Sequence, residues 1–265
     1  MNRFVTGLML VMSSALACLA QGADNWTRRE WKVGDVAREA LVHRPKDLGT
    51  NGSPLVFVFH GHGGTMGHAA RTFRIEELWP EAIVVCMQGL ETPGRLTDPE
   101  GKKPGWQNTP GDQSDRDVAF FDAVLATVRK EMRVDEKRIY STGHSNGGGF
   151  TCLLWAMRGE VLAAVAPSGS AAVRLRPLLK PKPMLHIAGE EDPLVKFEWQ
   201  KATIELVKKM NSCGVGRAWE LDANCTFYPS ETGNPVVTAI HPGGHEFPKQ
   251  APEVIVKFFK SHVKR

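Results

Sequence analysis

Two kinds of apolar pattern alternate along this chain. Pro54 to Phe59, Ile83 to Met87, Leu162 to Ala166 and Met184 to Ala188 are short uninterrupted apolar runs. Runs of that kind suit strands covered on both faces, the condition of a parallel sheet between helices. Arg138 to Thr142 and Val236 to Ile240 read as further strands. In the second pattern, Val118, Phe121, Val124, Leu125 and Val128 recur at three- and four-residue spacing, as do Val254, Ile255, Phe258 and Phe259. These stripes predict helices, the first opened by a capping box of Ser114 and Asp117. Trp155, Phe197 and Trp199, also at helical spacing, are expected in the core. The β, α order shows no internal repeat and no linker, which predicts one α/β domain: a three-layer sandwich around a mostly parallel central sheet. The Gly- and Pro-rich segment Pro93 to Gly111 is the one long connection, and long connections in compact domains often border a site.

Composition and charge remove several classes. With 42% hydrophobic and 23% charged residues and no low-complexity tract, the chain is neither disordered nor collagen-like nor a coiled coil. Lys+Arg 33 against Asp+Glu 29 gives +4, spread along the chain. Binding to nucleic acid needs a basic stripe, so no nucleic-acid partner is expected.

The first residues read as an address. A charged head, Met1 to Arg3, precedes an apolar run from Phe4 to Ala20, and small residues follow. A secretory signal peptide over residues 1–22, cut near Ala20 or Gly22, is expected. The rival readings are a membrane-anchoring helix and a lipoprotein cut before Cys18. Residues 23–265 then form a single catalytic domain, secreted to the periplasm or the medium, with no membrane partner after cleavage. Cys86 and Cys152 lie in apolar surroundings and read as buried thiols. Cys213 and Cys225 sit in polar, turn-rich sequence. In an oxidising compartment they predict a local disulfide contributing about 3 kcal/mol; the alternative is two free thiols.

Gly143-His144-Ser145-Asn146-Gly147 carries the strongest chemical signal. It is G-x-S-x-G, with a strand pattern before it and a helical one after. That turn is so sharp that side chains two residues to either side of the serine would collide, hence the glycines there, and it presents the hydroxyl at a helix N-terminus. A serine needs a base, and the base needs a carboxylate, in that downstream order of search. Asp192 follows the strand Met184 to Ala188, at the edge where open parallel sheets gather functional groups; Glu190 and Glu191 are the alternatives. His245 in His241-Pro242-Gly243-Gly244-His245 is the expected base, with His241 its rival.

His60-Gly61-His62-Gly63-Gly64 follows the strand ending at Phe59, where an H-G-G-G-type loop donates a backbone N–H to an oxyanion hole. His62 and Asn146 are the expected donors. His60, His62 and His68 lack the helical or C-x-x-C spacing of a zinc site, so no metal and no cofactor is expected. Trp106 and Gln107, on the long connection, are candidates to line the substrate pocket, with a Trp packed on the loop's own base as the alternative.

Taken together, H-G-x-G-G at His60 to Gly64, Gly105-Trp106-Gln107 ahead of Asp115-Arg116-Asp117-Val118, G-x-S-N-G-G at Gly143 to Gly148, Gly189 to Val195 and Gly243-Gly244-His245 resemble secreted esterases of the polyhydroxybutyrate depolymerase and feruloyl esterase group. The resemblance spans roughly residues 35 to 262. It implies an α/β-hydrolase fold and a serine carboxylesterase with Ser145, Asp192 and His245 as triad. The substrates it implies are hydroxyalkanoate, feruloyl or acetyl esters, polymeric or not. It also implies the Cys213–Cys225 disulfide, since similar proteins often carry one there. His62 and Glu246-Phe247 depart from the group's pattern, which leaves the ester open. A serine peptidase or amidase, and a non-catalytic binding protein on a hydrolase scaffold, are the other function classes.

Overall fold

The computed structural model describes residues 26–264. The expected leader, with its cleavage site and Cys18, lies outside the described residues. In chain order the strands are β1 (Trp26–Val33), β2 (Val36–His43), β3 (Ser53–Phe59), β4 (Ile83–Met87), β5 (Leu90–Glu91), β6 (Pro104–Gly105), β7 (Val134–His144), β8 (Ala164–Ser168), β9 (Met184–Gly189), β10 (Arg217–Trp219), β11 (Asp222–Tyr228) and β12 (Val236–His241). The helices are α1 (Met66–Phe73), α2 (Ile75–Leu78), α3 (Arg116–Glu131), α4 (Asn146–Arg158), α5 (Phe197–Met210) and α6 (Ala251–Lys260). Among the described residues no helix is long and apolar enough to cross a membrane.

A ten-stranded sheet runs in the order β1-β2-β4-β3-β7-β8-β9-β12-β11-β10. From β4 to β12 neighbours are parallel; β1 and β2 at one edge and β10 and β11 at the other are antiparallel. The apolar runs are explained by what covers them. Leu55, Phe57 and Phe59 of β3 point into one core with residues of α3 and α4, while Val56 and Val58 point into a second core with α1 and α6. Successive side chains on a strand face opposite ways, so a strand buried on both faces is apolar throughout. The strands β1, β10 and β11 at the edges are largely exposed or half-buried, so they carry neither an uninterrupted apolar run nor a clean alternation.

Two local expectations are corrected. Ser114 does not cap α3: it lies in a 3-10 turn, Asp112–Asp115, with φ of 55°, and the residue preceding the helix is Asp115. Asp117 is drawn away from a capping role because its carboxylate is buried against Arg38, 2.8 Å from Nη2. Cys213 and Cys225 are free thiols rather than a disulfide. Cys213 packs against the α3/α4 core and Cys225 belongs to the α1/α6 core, so the sheet separates the two sulfurs. Cys86 and Cys152 are buried, as their apolar surroundings predict.

Candidate active site

The carboxyl ends of β3, β7, β8, β9 and β12 converge on one edge of the sheet, and the loops leaving them hold the candidate residues. Ser145 follows β7 directly, with φ of 57° and ψ of −122°. For a residue with a Cβ this conformation is strained and persists only where its surroundings impose it. Its N–H donates to the Ser168 carbonyl at the end of β8, 2.8 Å away, and α4 begins at the next residue. Gly147 makes the turn possible: a Cβ there would collide with the carbonyl oxygen of Phe59. The α4 helix thus packs its first turn against the end of β3.

His245 and Asp192 arrive from the other side of β8. A Cβ on Gly189 would strike the carbonyl oxygen of Gly244, so that glycine lets the loop after β12 settle on the end of β9. His245 Nε2 lies 2.7 Å from Ser145 Oγ, and His245 Nδ1 lies 2.7 Å from Asp192 Oδ2. The carboxylate fixes the tautomer: Nδ1–H donates to Asp192, leaving Nε2 to accept from the serine hydroxyl. Asp192 is itself held by the N–H groups of Leu194 and Val195 on Oδ1, at 2.9 and 2.8 Å, and by Gln200 Nε2 on Oδ2, at 3.0 Å. Glu190 and Glu191, the alternative carboxylates, are exposed. His241 accepts from the Gly243 N–H at 3.2 Å and faces Glu246.

His144 packs against His245 with ring centroids 5.0 Å apart. Its Nε2 lies 3.1 Å from the His245 carbonyl oxygen, which can only accept, so Nε2 carries the proton. Nδ1 then accepts from Ser168 Oγ at 3.1 Å. Burial, and after it the neighbouring His245, pushes the His144 pKa down to about 4, so this ring is neutral.

The turn after β3 approaches from the opposite side of β7. A Cβ on Gly61 would sit 3.6 Å from Ser145 Cβ. His60 is buried and its pKa is pushed down to about 4 by burial; Nδ1–H donates to the Gly61 carbonyl and Nε2 accepts from the Gly89 N–H. The His62 side chain reaches Asp98 Oδ2 at 3.0 Å, and Asp98 also accepts from the Lys102 and Lys103 amides. These contacts, the His62 bond first among them, hold the Asp98 carboxyl below its ordinary range. The pair ties the turn after β3 to the long connection.

Trp106 and Gln107 do not line the cleft. Trp106 is 0% exposed, stacked on Phe150, with Nε1–H donating to the His60 carbonyl. Gln107 is also fully buried; its amide donates to Asp115 Oδ1 and its carbonyl accepts from the Asp117 N–H. Both shape the base of the connection, and the Asn146 side chain clasps the Trp106 backbone at N and O. A buried Trp finds a carbonyl for its N–H, and here that carbonyl lies beneath the site.

The cleft above Ser145 has a volume of about 820 Å³. Leu96, Val173, Leu194 and Trp199 give it an apolar wall, with Asn108 and Thr109 of the long connection at its rim. Trp199 is a correction to the core expectation: it is 46% exposed, whereas Trp155 is buried. On α5 the buried face carries Gln200, Thr203, Ile204 and Val207, which turns Trp199 outward. Gln200 was not singled out from the sequence, although a glutamine on the apolar side of a helix is a usable signal. Among the described residues no group of three or more His, Cys, Asp or Glu side chains is placed to hold a metal ion.

No family model matches the chain. It is 30% identical over 173 residues to the probable feruloyl esterase C of Aspergillus flavus, an alignment covering 63% of this chain and 58% of that one. It is 32% identical over 185 residues to the putative esterase NocK of Nocardia uniformis subsp. tsuyamanensis, covering 65% and 50%. The chain therefore spans between half and three fifths of the length of these relatives. The acetyl xylan esterase from Aspergillus awamori superposes with a TM-score of 0.60 at 14% identity, covering 88% of this chain and 99% of that one. The strand order, the turn at Ser145 and this superposition identify the fold as that of the α/β-hydrolases.

Proposed function

We propose that this chain is a serine carboxylic-ester hydrolase. The observation that carries the reading is the continuous hydrogen-bonded line from Asp192 through His245 to Ser145, 2.7 Å at each link to the imidazole. In this reading His245 takes the proton of Ser145 as the hydroxyl attacks an ester carbonyl, then passes it to the leaving alcohol. Water repeats both steps on the acyl-enzyme. Asp192 orients the imidazole and balances its charge as it forms.

The amides of His62 and Asn146 are the proposed oxyanion donors. Asn146 is the first residue of α4, where an N–H has no acceptor inside the helix. His62 stands next to Gly61, which lies against the serine. A donor of this kind lowers the barrier by about 3 kcal/mol when it is aimed beforehand at the developing charge.

The named relatives favour feruloyl and acetyl esters as the class to test first, and an apolar cleft of this size suits an aromatic acyl group. Hydroxyalkanoate esters stay within the proposal through the sequence resemblance. Export rests on the charged head and apolar run of the first twenty residues.

The test is release of p-nitrophenol from acetyl and butyryl esters, and of ferulate from methyl ferulate, by the protein and by Ser145→Ala in parallel. Turnover by the first and none by the second is the expected result. Equal turnover by both, or none by the unaltered protein on any ester, would overturn the proposal.

A further inference from the structure

The permanently charged side chains that line the cleft are all of one sign. Among its lining residues, Arg95 and Arg174 are the only permanently charged side chains; no Asp, Glu or Lys lines it, and the adjacent His144 is neutral. Arg95 lies in the connection between β5 and β6. Its neighbour Gly94 is so close to the His62 ring that a Cβ there would touch it, which anchors the segment beside the turn after β3. Arg174 lies in the 3-10 turn Val173–Leu175 that follows β8. Because β7 runs between β3 and β8, the two arginines stand on either side of Ser145. Both are exposed, and among the described residues neither is held in an ion pair. Leu96, Val173, Leu194 and Trp199 line the same cleft.

We infer that the preferred ester carries a carboxylate: an amphipathic anion whose apolar part lies on the Trp199 wall while its charge meets a guanidinium. The inference rests on the ester-hydrolase reading of Ser145 and narrows it to a substrate class. A guanidinium presents a planar fork that matches a carboxylate with two parallel bonds, and it stays charged at any working pH. Two such groups beside an apolar wall, with no acid among them, also focus a positive potential that draws anionic substrates toward the serine. A neutral acyl-sugar would offer neither arginine a counter-charge. The carboxylate can belong to the free end of a hydroxyacid oligomer or to a uronic acid esterified through a hydroxyl, and the chemistry at the cleft is the same for both.

The experiment compares kcat/KM within two matched pairs: the free acid and methyl ester of a 3-hydroxybutyrate trimer, and feruloyl esters of glucuronic acid and of glucose. The anionic member of at least one pair is expected to react faster by about two- to fivefold, the upper part of the range open to exposed charge pairs. That ratio should fall toward unity in about 0.5 M salt and in the Arg95→Ala/Arg174→Ala double variant. The pair that shows the preference identifies the source of the carboxylate. Ratios near unity in both pairs, or a preference that survives the double variant, would overturn the inference.

A binding measurement separates this from failure of the hydrolase reading. Calorimetry of Ser145→Ala with each acid and its neutral partner needs no turnover. Tighter binding of the acid, lost when both arginines are removed, supports the carboxylate class even if no ester is cleaved. Equal binding of acid and neutral partner rejects it.

Discussion

Gln200 Nε2 donates to Asp192 Oδ2, the same carboxylate oxygen that receives Nδ1–H of His245. Gln200 is fully buried on α5, and its amide also donates to the Val195 carbonyl at 2.7 Å, closing the loop that presents Asp192. The carboxylate therefore cannot rotate without breaking bonds from two amides, one glutamine and one imidazole. Gln200→Leu, which keeps the volume and removes both donors, should lower kcat about tenfold while KM changes little, since its effect is on the placement of His245 rather than on substrate contact. Steady-state kinetics on a p-nitrophenyl ester would check this; a rise in KM at unchanged kcat would contradict the positioning role.

The backbone at Ser145 makes a prediction about stability alone. Its φ of 57° with ψ of −122° is accessible to glycine and unfavourable for a residue with a Cβ. Ser145→Gly should therefore unfold at higher temperature than Ser145→Ala, by a difference corresponding to about 1 kcal/mol or more. Both variants lose the hydroxyl, so the comparison isolates the strain. Identical melting temperatures would show that the turn carries none.

Asp117 joins the core to the base of the long connection. Its carboxylate accepts from Arg38 at 2.8 Å and from the Gln107 N–H at 2.9 Å, with Arg38 also buried and lying over the Phe120 ring. Asp117→Ala leaves a buried guanidinium without its counter-charge and should cost about 3–5 kcal/mol. Replacing both members, Arg38→Met with Asp117→Leu, should recover a large part of that loss. Chemical denaturation of the single and double variants measures both quantities.

The buried histidines set the acid side of the stability profile. His60, His144 and His186 each have a pKa pushed down to about 4, burial being the first cause in every case. A group whose folded pKa is depressed stabilises the fold above its unfolded pKa, near 6.5, and that contribution is lost as pH falls through the folded value. Stability should be full above about pH 6.5 and decline between about 6.5 and 4. Replacing His186, which sits in β9 beside Gln200, by Leu should make the decline shallower. Urea midpoints measured across that pH window would test the slope, and an unchanged slope would remove His186 from the account.

Patterns that arise from a single element were legible in the sequence. Strands covered on both faces had to be apolar at every position, so β3, β4, β8 and β9 could be located before the fold was known. The G-x-S-x-G turn was equally readable, because a close approach such as Gly147 to the Phe59 carbonyl leaves no choice of residue. Order and local setting therefore singled out Ser145, Asp192 and His245 as candidates, and the fold brings these three side chains together. Relationships between elements were not legible. Gln200 meets Asp192 only because α5 packs on β9, Asp117 is taken from its helix cap by an arginine on β2, and Trp199 faces the cleft because its neighbour Gln200 claims the buried side. Cys213 and Cys225 stand twelve residues apart in the chain, yet the sheet places them in different cores. Backbone sterics and burial act over a few residues and leave a mark in sequence, whereas which face a side chain shares with a distant strand is decided by how the layers pack.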